Sequence, residues 1–158
     1  LVLSTLHTND APSAITRLVN MGVEPFLISA ALNMVLAQRL VRRTCTRCRQ
    51  KYEAPRTLRR ALEKMGCEIE TFYKGVGCKR CRNTGYAGRL GVHEILVVND
   101  EIRDAVVAGA SVGEIKRLGD GNGMITLRQD GLRKVREGIT TIEEVMHIAG
   151  DLRDTSKV

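Results

Sequence analysis

Four cysteines in two matched pairs constrain the fold of this chain more than any other feature of its sequence. The pairs are Cys45-Thr46-Arg47-Cys48 and Cys78-Lys79-Arg80-Cys81, with 29 residues between them. A Cys-x-x-Cys segment places two sulfur atoms at the tip of one tight turn, so two such turns can surround one ion with four sulfur ligands. The spacing predicts a tetrahedral Zn²⁺ site whose ligands are Cys45, Cys48, Cys78 and Cys81.

A zinc site of this kind is structural, because four thiolates fill the coordination sphere and leave no position for water or substrate. Three alternatives use the same residues: two disulfides, a redox-active Cys-x-x-Cys motif and iron–sulfur ligation. The matched arrangement of the two pairs favours zinc. The fifth cysteine, Cys67, has no partner in the sequence pattern, and we predict an ordinary packed side chain there.

The charge pattern indicates either an anionic partner or an anionic metal centre. The formal net charge is +7, and every charged residue from Arg39 to Lys51 is basic. Nucleic acid, lipid headgroups and nucleotide phosphates would all fit such a surface. A solvated surface that balances the formal charge of about −2 on a zinc tetrathiolate fits it equally well. No apolar run approaches the roughly 18 residues of a membrane-spanning helix, and we expect reduced cysteines in a cytoplasmic protein.

The order of predicted elements indicates an α/β fold followed by a helical part. Leu1–Leu6 reads as a buried strand, and a polar loop with His7 leads into a helix over Ala11–Met21. A second helix is predicted over Pro25–Gln38 and a strand over Val92–Val98, with helices after it. Because a buried strand needs neighbours, we expect that the chain was cut from a longer one.

His7 is the candidate catalytic residue, since ligands of open α/β sheets bind at the carboxyl ends of strands. From position alone, an ordinary loop histidine is the favoured interpretation. The chain contains no Gly-x-x-x-x-Gly-Lys-Ser/Thr segment, which is the loop that cradles nucleotide phosphates in many ATPases. We therefore predict that the isolated chain does not hydrolyse ATP.

Several stretches resemble, in the same order, the type II secretion and type IV pilus assembly ATPases. Leu3–Ala11 is similar to their histidine box, and Arg17–Phe26 resembles the segment that follows it. Ala37–Arg42 resembles the lead into their tetracysteine segment, and Gly85–Glu94 resembles the stretch after it. The resemblance covers nearly the whole chain, to about Ala149.

This resemblance implies a hexameric ATPase that drives protein secretion or pilus assembly at the inner membrane. His7 would approach the γ-phosphate, the four cysteines would hold structural Zn²⁺, and ATP and Mg²⁺ would bind only in the full-length protein. The expected partners are other subunits of a homo-hexamer and an inner-membrane platform protein, with no nucleic acid. The expected location is the cytoplasm, peripherally associated with the inner membrane.

The implied fold class is α/β: the C-terminal portion of a RecA-like core, an inserted tetracysteine zinc subdomain and a helical C-terminal subdomain. The expected boundaries are 1–43 for the core, 44–84 for the zinc subdomain, 85–98 for strands returning to the core and 99–158 for the helical subdomain. The alternatives are a zinc-ribbon module that binds nucleic acid through its basic surface and a purely structural scaffold domain.

Overall fold

The computed structural model describes residues 1–64 and 66–149, which form two compact units. The first unit contains residues 1–38 and 93–127, and the second contains residues 39–92 and 128–149. The elements in chain order are α1 (Ala11–Asn20), α2 (Pro25–Ala31), β1 (Met34–Thr44), β2 (Arg49–Tyr52), α3 (Arg56–Lys64), β3 (Phe72–Gly75), a 3₁₀ turn (Lys79–Cys81), β4 (Tyr86–Val97), α4 (Asp100–Val107), α5 (Val112–Gly121), α6 (Leu127–Arg136) and α7 (Ile142–Ala149). The architecture is mixed α/β, as predicted.

The helices of the first unit begin at the residues that the sequence indicates. Asp10 caps α1, because its carboxylate accepts the backbone N–H of Ser13 at 2.9 Å. Ser111 and Glu114 form the predicted reciprocal capping box at the start of α5. In this unit α1 packs against α5, and α2 packs against α4. Ile15, Ile28, Leu96, Ile102 and Ile115 are among its buried apolar side chains.

A buried carboxylate joins two helix starts to the sheet of the first unit. Glu94 lies on β4 and is only 4% exposed. One of its oxygens accepts the N–H of Ala11, the first residue of α1, at 2.8 Å. The other accepts the N–H of Leu127 at 3.1 Å. Helix N-termini offer unsatisfied N–H groups and favour negative charge, so a carboxylate suits this position.

The second unit combines an antiparallel hairpin with three helices. β2 pairs with β3, and the register joins Arg49 to Gly75 at one end and Tyr52 to Phe72 at the other. The apolar cluster of this unit contains Ala54, Leu62, Ile69, Phe72, Leu132, Val135, Ile142 and Val145. Cys67 packs at the edge of this cluster, which confirms the prediction of an ordinary packed side chain.

Two predicted elements in the first 44 residues are wrong. Leu1–Leu6 is irregular rather than a strand, and Leu1 is fully exposed. The described residues include no strand paired with this segment, and an unpaired strand lacks the hydrogen bonds that stabilise it. The helix predicted to reach Gln38 ends at Ala31, because residues 34–44 form β1 and pair with β4. Pairing with a distant strand overrides the helical spacing of this stretch.

Thr57 and Thr140 are residues of a type that often caps helices, and the sequence predicts a helix start at each, but neither caps a helix here. α3 spans Arg56–Lys64, so Thr57 lies inside it. α7 begins at Ile142, and the hydroxyl of Thr140 instead donates to the carbonyl of Arg42. The helix predicted over Asp100–Val107 is confirmed, and the helix predicted over Ile125–Glu137 is observed over Leu127–Arg136. Residues 150–158 of the predicted helical subdomain lie outside the described residues.

Candidate metal centre

The four cysteines of the two pairs lie at the open end of the β2–β3 hairpin. Cys45 directly follows β1, and Cys48 directly precedes β2. Cys78 lies three residues after β3, and Cys81 ends the 3₁₀ turn. The pairing of β2 with β3 thus brings together two turns that are 29 residues apart in the sequence. Cys45, Cys48 and Cys81 are buried, and Cys78 is half-buried.

The distances between the sulfur atoms fit one tetrahedral metal ion. All four Sγ atoms lie within 4.8 Å of one another. The Cys45–Cys78, Cys48–Cys81 and Cys78–Cys81 pairs are 3.9, 3.8 and 3.7 Å apart. A Zn–S bond of about 2.3 Å in tetrahedral geometry requires sulfur atoms about 3.8 Å apart. A disulfide would require about 2.05 Å, and all the cysteines of the chain are free.

Backbone geometry in the second turn favours thiolate ligands. The N–H of Cys78 donates to the sulfur of Cys81 at 3.2 Å. Burial raises the pKa of Cys81, but hydrogen bonds from the backbone of Cys78 and Gly85 and from neighbouring thiols outweigh it, and its pKa falls to about 6. Burial raises the pKa of Cys48 to about 12. Several thiolates cannot share this space without a cation, and a metal ion bound by the four cysteines would supply that positive charge.

The second turn has an unusual backbone that brings the two arms of the site together. Arg82 and Asn83 both adopt the left-handed region, with φ values of 51° and 59°. The chain then reverses at Gly85, whose carbonyl accepts the N–H of Cys45 at 2.9 Å. A Cβ atom on Gly75 would overlap this same carbonyl. Close backbone approach explains why the last residue of β3, Gly75, and the residue before β4, Gly85, are both glycine beside the four cysteines.

Basic residues surround the four cysteines on the surface of the second unit. Every charged residue in 39–52 and 74–92 is Lys or Arg, as the sequence predicted for the first of these stretches. Arg47, Lys79, Arg80 and Arg82 are exposed, and none forms an ion pair within the described residues. Arg49 differs: it donates to the carbonyl of Gly138 at 3.1 Å and lies over the ring of Tyr73.

The other predicted site residue, His7, lies in the exposed irregular segment before α1. Its catalytic role stays a prediction. Sequence reasoning missed Glu94 as an important residue. The signal available was an acidic residue within the predicted strand Val92–Val98, where a charge must find partners once the strand is buried.

None of the helices in the part of the chain that the structure describes combines the length and apolar character required to cross a membrane.

Comparison with known proteins identifies one family. The family model described as "Type II/IV secretion system protein" matches residues 1–147. The type IV pilus assembly ATPase PilB of Thermus thermophilus is 58% identical over 148 residues, covering 92% of this chain and 17% of that protein. The type IV pilus assembly ATPase PilB of Myxococcus xanthus is 48% identical over 151 residues, covering 92% of this chain and 26% of that protein.

A relative named for protein secretion has a comparable identity. The type II secretion system ATPase E of Vibrio cholerae is 45% identical over 148 residues, covering 94% of this chain and 29% of that protein. The chain therefore spans less than a third of the length of each of these relatives.

Proposed function

The chain belongs to the type II/IV secretion system protein family, and on that premise we propose that it is part of an ATPase that powers type II secretion or type IV pilus assembly. The observation that carries this proposal is the similarity to relatives named as ATPases of both systems, which covers more than 90% of the chain, together with the family match over residues 1–147. The ATPase is proposed to be a hexamer with a RecA-like core, working in the cytoplasm against the inner membrane.

Deletion of the gene in the source organism tests the proposal. We expect loss of surface pili or of secreted proteins, with normal growth, and restoration by the full-length gene. The 158-residue chain alone should not restore either process, because it contains no phosphate loop. An organism that keeps both piliation and secretion after the deletion would contradict the proposed function.

We further propose that Cys45, Cys48, Cys78 and Cys81 hold one structural Zn²⁺. Four sulfur ligands at tetrahedral spacing close the coordination sphere, so the ion would stabilise the second unit and take no part in chemistry. Metal analysis of the purified chain should return about one zinc per molecule. Cys81→Ser should reduce the zinc content sharply, whereas Cys67→Ser should leave it unchanged. A folded wild-type chain without metal would contradict this assignment.

His7 is proposed to act on the γ-phosphate of ATP in the full-length enzyme. A polar side chain that contacts the transferring phosphoryl group stabilises the charge that develops there. His7→Ala in the full-length protein should lower kcat by about 100-fold or more, with a smaller effect on KM. His147 is an exposed histidine on α7 and provides the matched control. Equal activities of the two variants would remove His7 from the mechanism.

The basic residues beside the zinc site are proposed to contact an inner-membrane platform protein. Arg47 is exposed, whereas Arg49 is already bound to Gly138. Arg47→Glu should therefore weaken platform binding without loss of zinc, while the same reversal at Arg60, exposed on α3, serves as the control. Unchanged platform binding by Arg47→Glu would contradict the proposal. A salt-sensitive shift with DNA or RNA would instead support the nucleic-acid-binding module.

A further inference from the structure

The end of β1, which delivers Cys45 to the metal site, is held by a segment about a hundred residues further along the chain. The N–H of Thr44 donates to the carbonyl of Ile139 at 2.9 Å. The hydroxyl of Thr140 donates to the carbonyl of Arg42 at 2.8 Å. The N–H of Arg42 donates to a carboxylate oxygen of Glu144, also at 2.8 Å. Three backbone groups immediately before Cys45 are thus bound by residues 139–144.

The side chains of the same residues extend this network to the other arm of the site. The Arg42 guanidinium donates to the second oxygen of Glu144 at 2.6 and 3.0 Å. It also lies 4.1 Å from the centre of the Tyr86 ring. The hydroxyl of Tyr86 hydrogen-bonds that of Thr141 at 3.0 Å. Tyr86 begins β4 five residues after Cys81, so β1, which leads into the cysteine site, and β4, which follows it, are both attached to residues 139–144.

The residues of α7 and the segment before it in this network are buried, whereas the side chain of Arg42 is 56% exposed. Thr140 is completely buried, Thr141 is 2% exposed and Glu144 is 9% exposed. Burial opposes ionisation of Glu144, but the hydrogen bonds from Arg42 outweigh it and hold the pKa of this carboxyl below its usual value. Removing one partner from a buried charged network leaves the other partners unsatisfied, so such networks hold their geometry closely.

We propose that residues 139–144 are positioning residues for the metal site, with Glu144 at their centre, so that metal binding and the docking of α7 stabilise each other. The inference rests on the proposed zinc site and does not depend on the proposed ATPase activity. Supporting groups outside the ligand sphere fix ligand orientation, and their loss commonly lowers metal affinity 10- to 100-fold. Linkage is reciprocal, so metal removal should loosen α7 to a corresponding extent.

The test is zinc release from the full 158-residue chain into excess colorimetric chelator. Glu144→Gln should release zinc about tenfold faster than wild type, because one amide N–H₂ must face a donor group of Arg42. Thr140→Val, which removes one hydroxyl and no charge, should also accelerate release. Glu137→Gln changes the same charge at an exposed site before the network and should release zinc at the wild-type rate.

Two further measurements separate positioning from a general loss of stability. Leu62→Ala weakens the apolar cluster, which includes Ile142 of α7, but removes none of the hydrogen bonds of the network, so it shows the effect of reduced packing without the loss of a hydrogen bond. The absorption spectrum of the Co²⁺-substituted protein should change in Glu144→Gln and not in Leu62→Ala. Amide exchange in residues 139–149 should rise when zinc is removed from wild type, more than it rises in α1.

Release from Glu144→Gln at the rate of Glu137→Gln would overturn the inference. So would an unchanged Co²⁺ spectrum in Glu144→Gln, or an exchange increase confined to the two cysteine turns after metal removal. A wild-type chain that binds no zinc is a separate result, which contradicts the proposed metal site itself.

Discussion

Replacing Glu94 by Gln should loosen the start of α1, because no other residue can take over both of its hydrogen bonds. Its two carboxylate oxygens accept the N–H groups of Ala11 and Leu127 at 2.8 and 3.1 Å. Gln has nearly the same shape but carries one oxygen and one N–H₂ group. Whichever way the amide is oriented, one backbone N–H faces another donor in a site that is 4% exposed.

The size of the effect follows from these contacts. A hydrogen bond to a charged acceptor contributes about 1.5–3 kcal/mol, and a buried donor left unsatisfied costs about 1–3 kcal/mol. These two figures describe the same lost hydrogen bond, so they are not added together. The remaining hydrogen bond also weakens because its acceptor is no longer charged, and we expect about 2–4 kcal/mol of destabilisation in total. At 1.4 kcal/mol for each factor of ten, this destabilisation corresponds to amide exchange in α1 that is roughly 30- to 700-fold faster.

Native-state amide exchange of α1 is the appropriate assay, since a chain with two units does not have one well-defined free energy of unfolding. Exchange in α1 should accelerate by the factor above when Glu94 is replaced by Gln. Glu24→Gln is the matched control, because it makes the same change of charge at the residue before α2, where the exposed side chain caps nothing. Exchange in α1 within threefold of wild type for Glu94→Gln would refute the reasoning.

Three further changes test local features of the two units. Glu114 accepts hydrogen bonds from Ser111 that lower its pKa. Its ionised form therefore stabilises α5 above the unfolded Glu pKa of about 4.3, and this contribution disappears as the pH falls through the folded pKa. Wild type should resist urea better than Glu114→Gln at pH 7, and the urea resistance of the two proteins should converge in acid. Gly75→Ala should lower the urea midpoint and the zinc content, because the new methyl group overlaps the carbonyl of Gly85. Gly113→Ala has open space on α5 and should stabilise that helix by about 0.5–1 kcal/mol, measured by amide exchange.

The cysteine site was predictable from the sequence because the information is carried by residue type and short spacing. Two sulfur atoms three positions apart in a turn can reach one ion, whatever surrounds them. The helix caps at Asp10 and Ser111 were predictable for the same reason, since each side chain binds a backbone N–H three residues later. Features of this kind require no knowledge of distant parts of the chain.

The error at residues 34–38 has the opposite origin. Apolar residues there continue the helical spacing of α2, yet the segment pairs with β4, which follows more than 40 residues later. Local propensity favours neither structure strongly, so hydrogen bonds to a distant strand decide the outcome. In β1 the buried Val41 lies between two exposed neighbours, and this burial pattern can be interpreted as that of a strand only once the partner strand is known.

The sequence by itself determined the family, the four candidate metal ligands and most of the helix starts. Only the tertiary structure decided which groups support them: Glu94 binds the N–H of a residue 83 positions away, and Glu144 binds Arg42 across 102 positions. The physical reason is that a buried charge is stabilised by whichever donors the packed chain places beside it. Those donors are selected by the folded arrangement of distant elements, and no local window of sequence contains them.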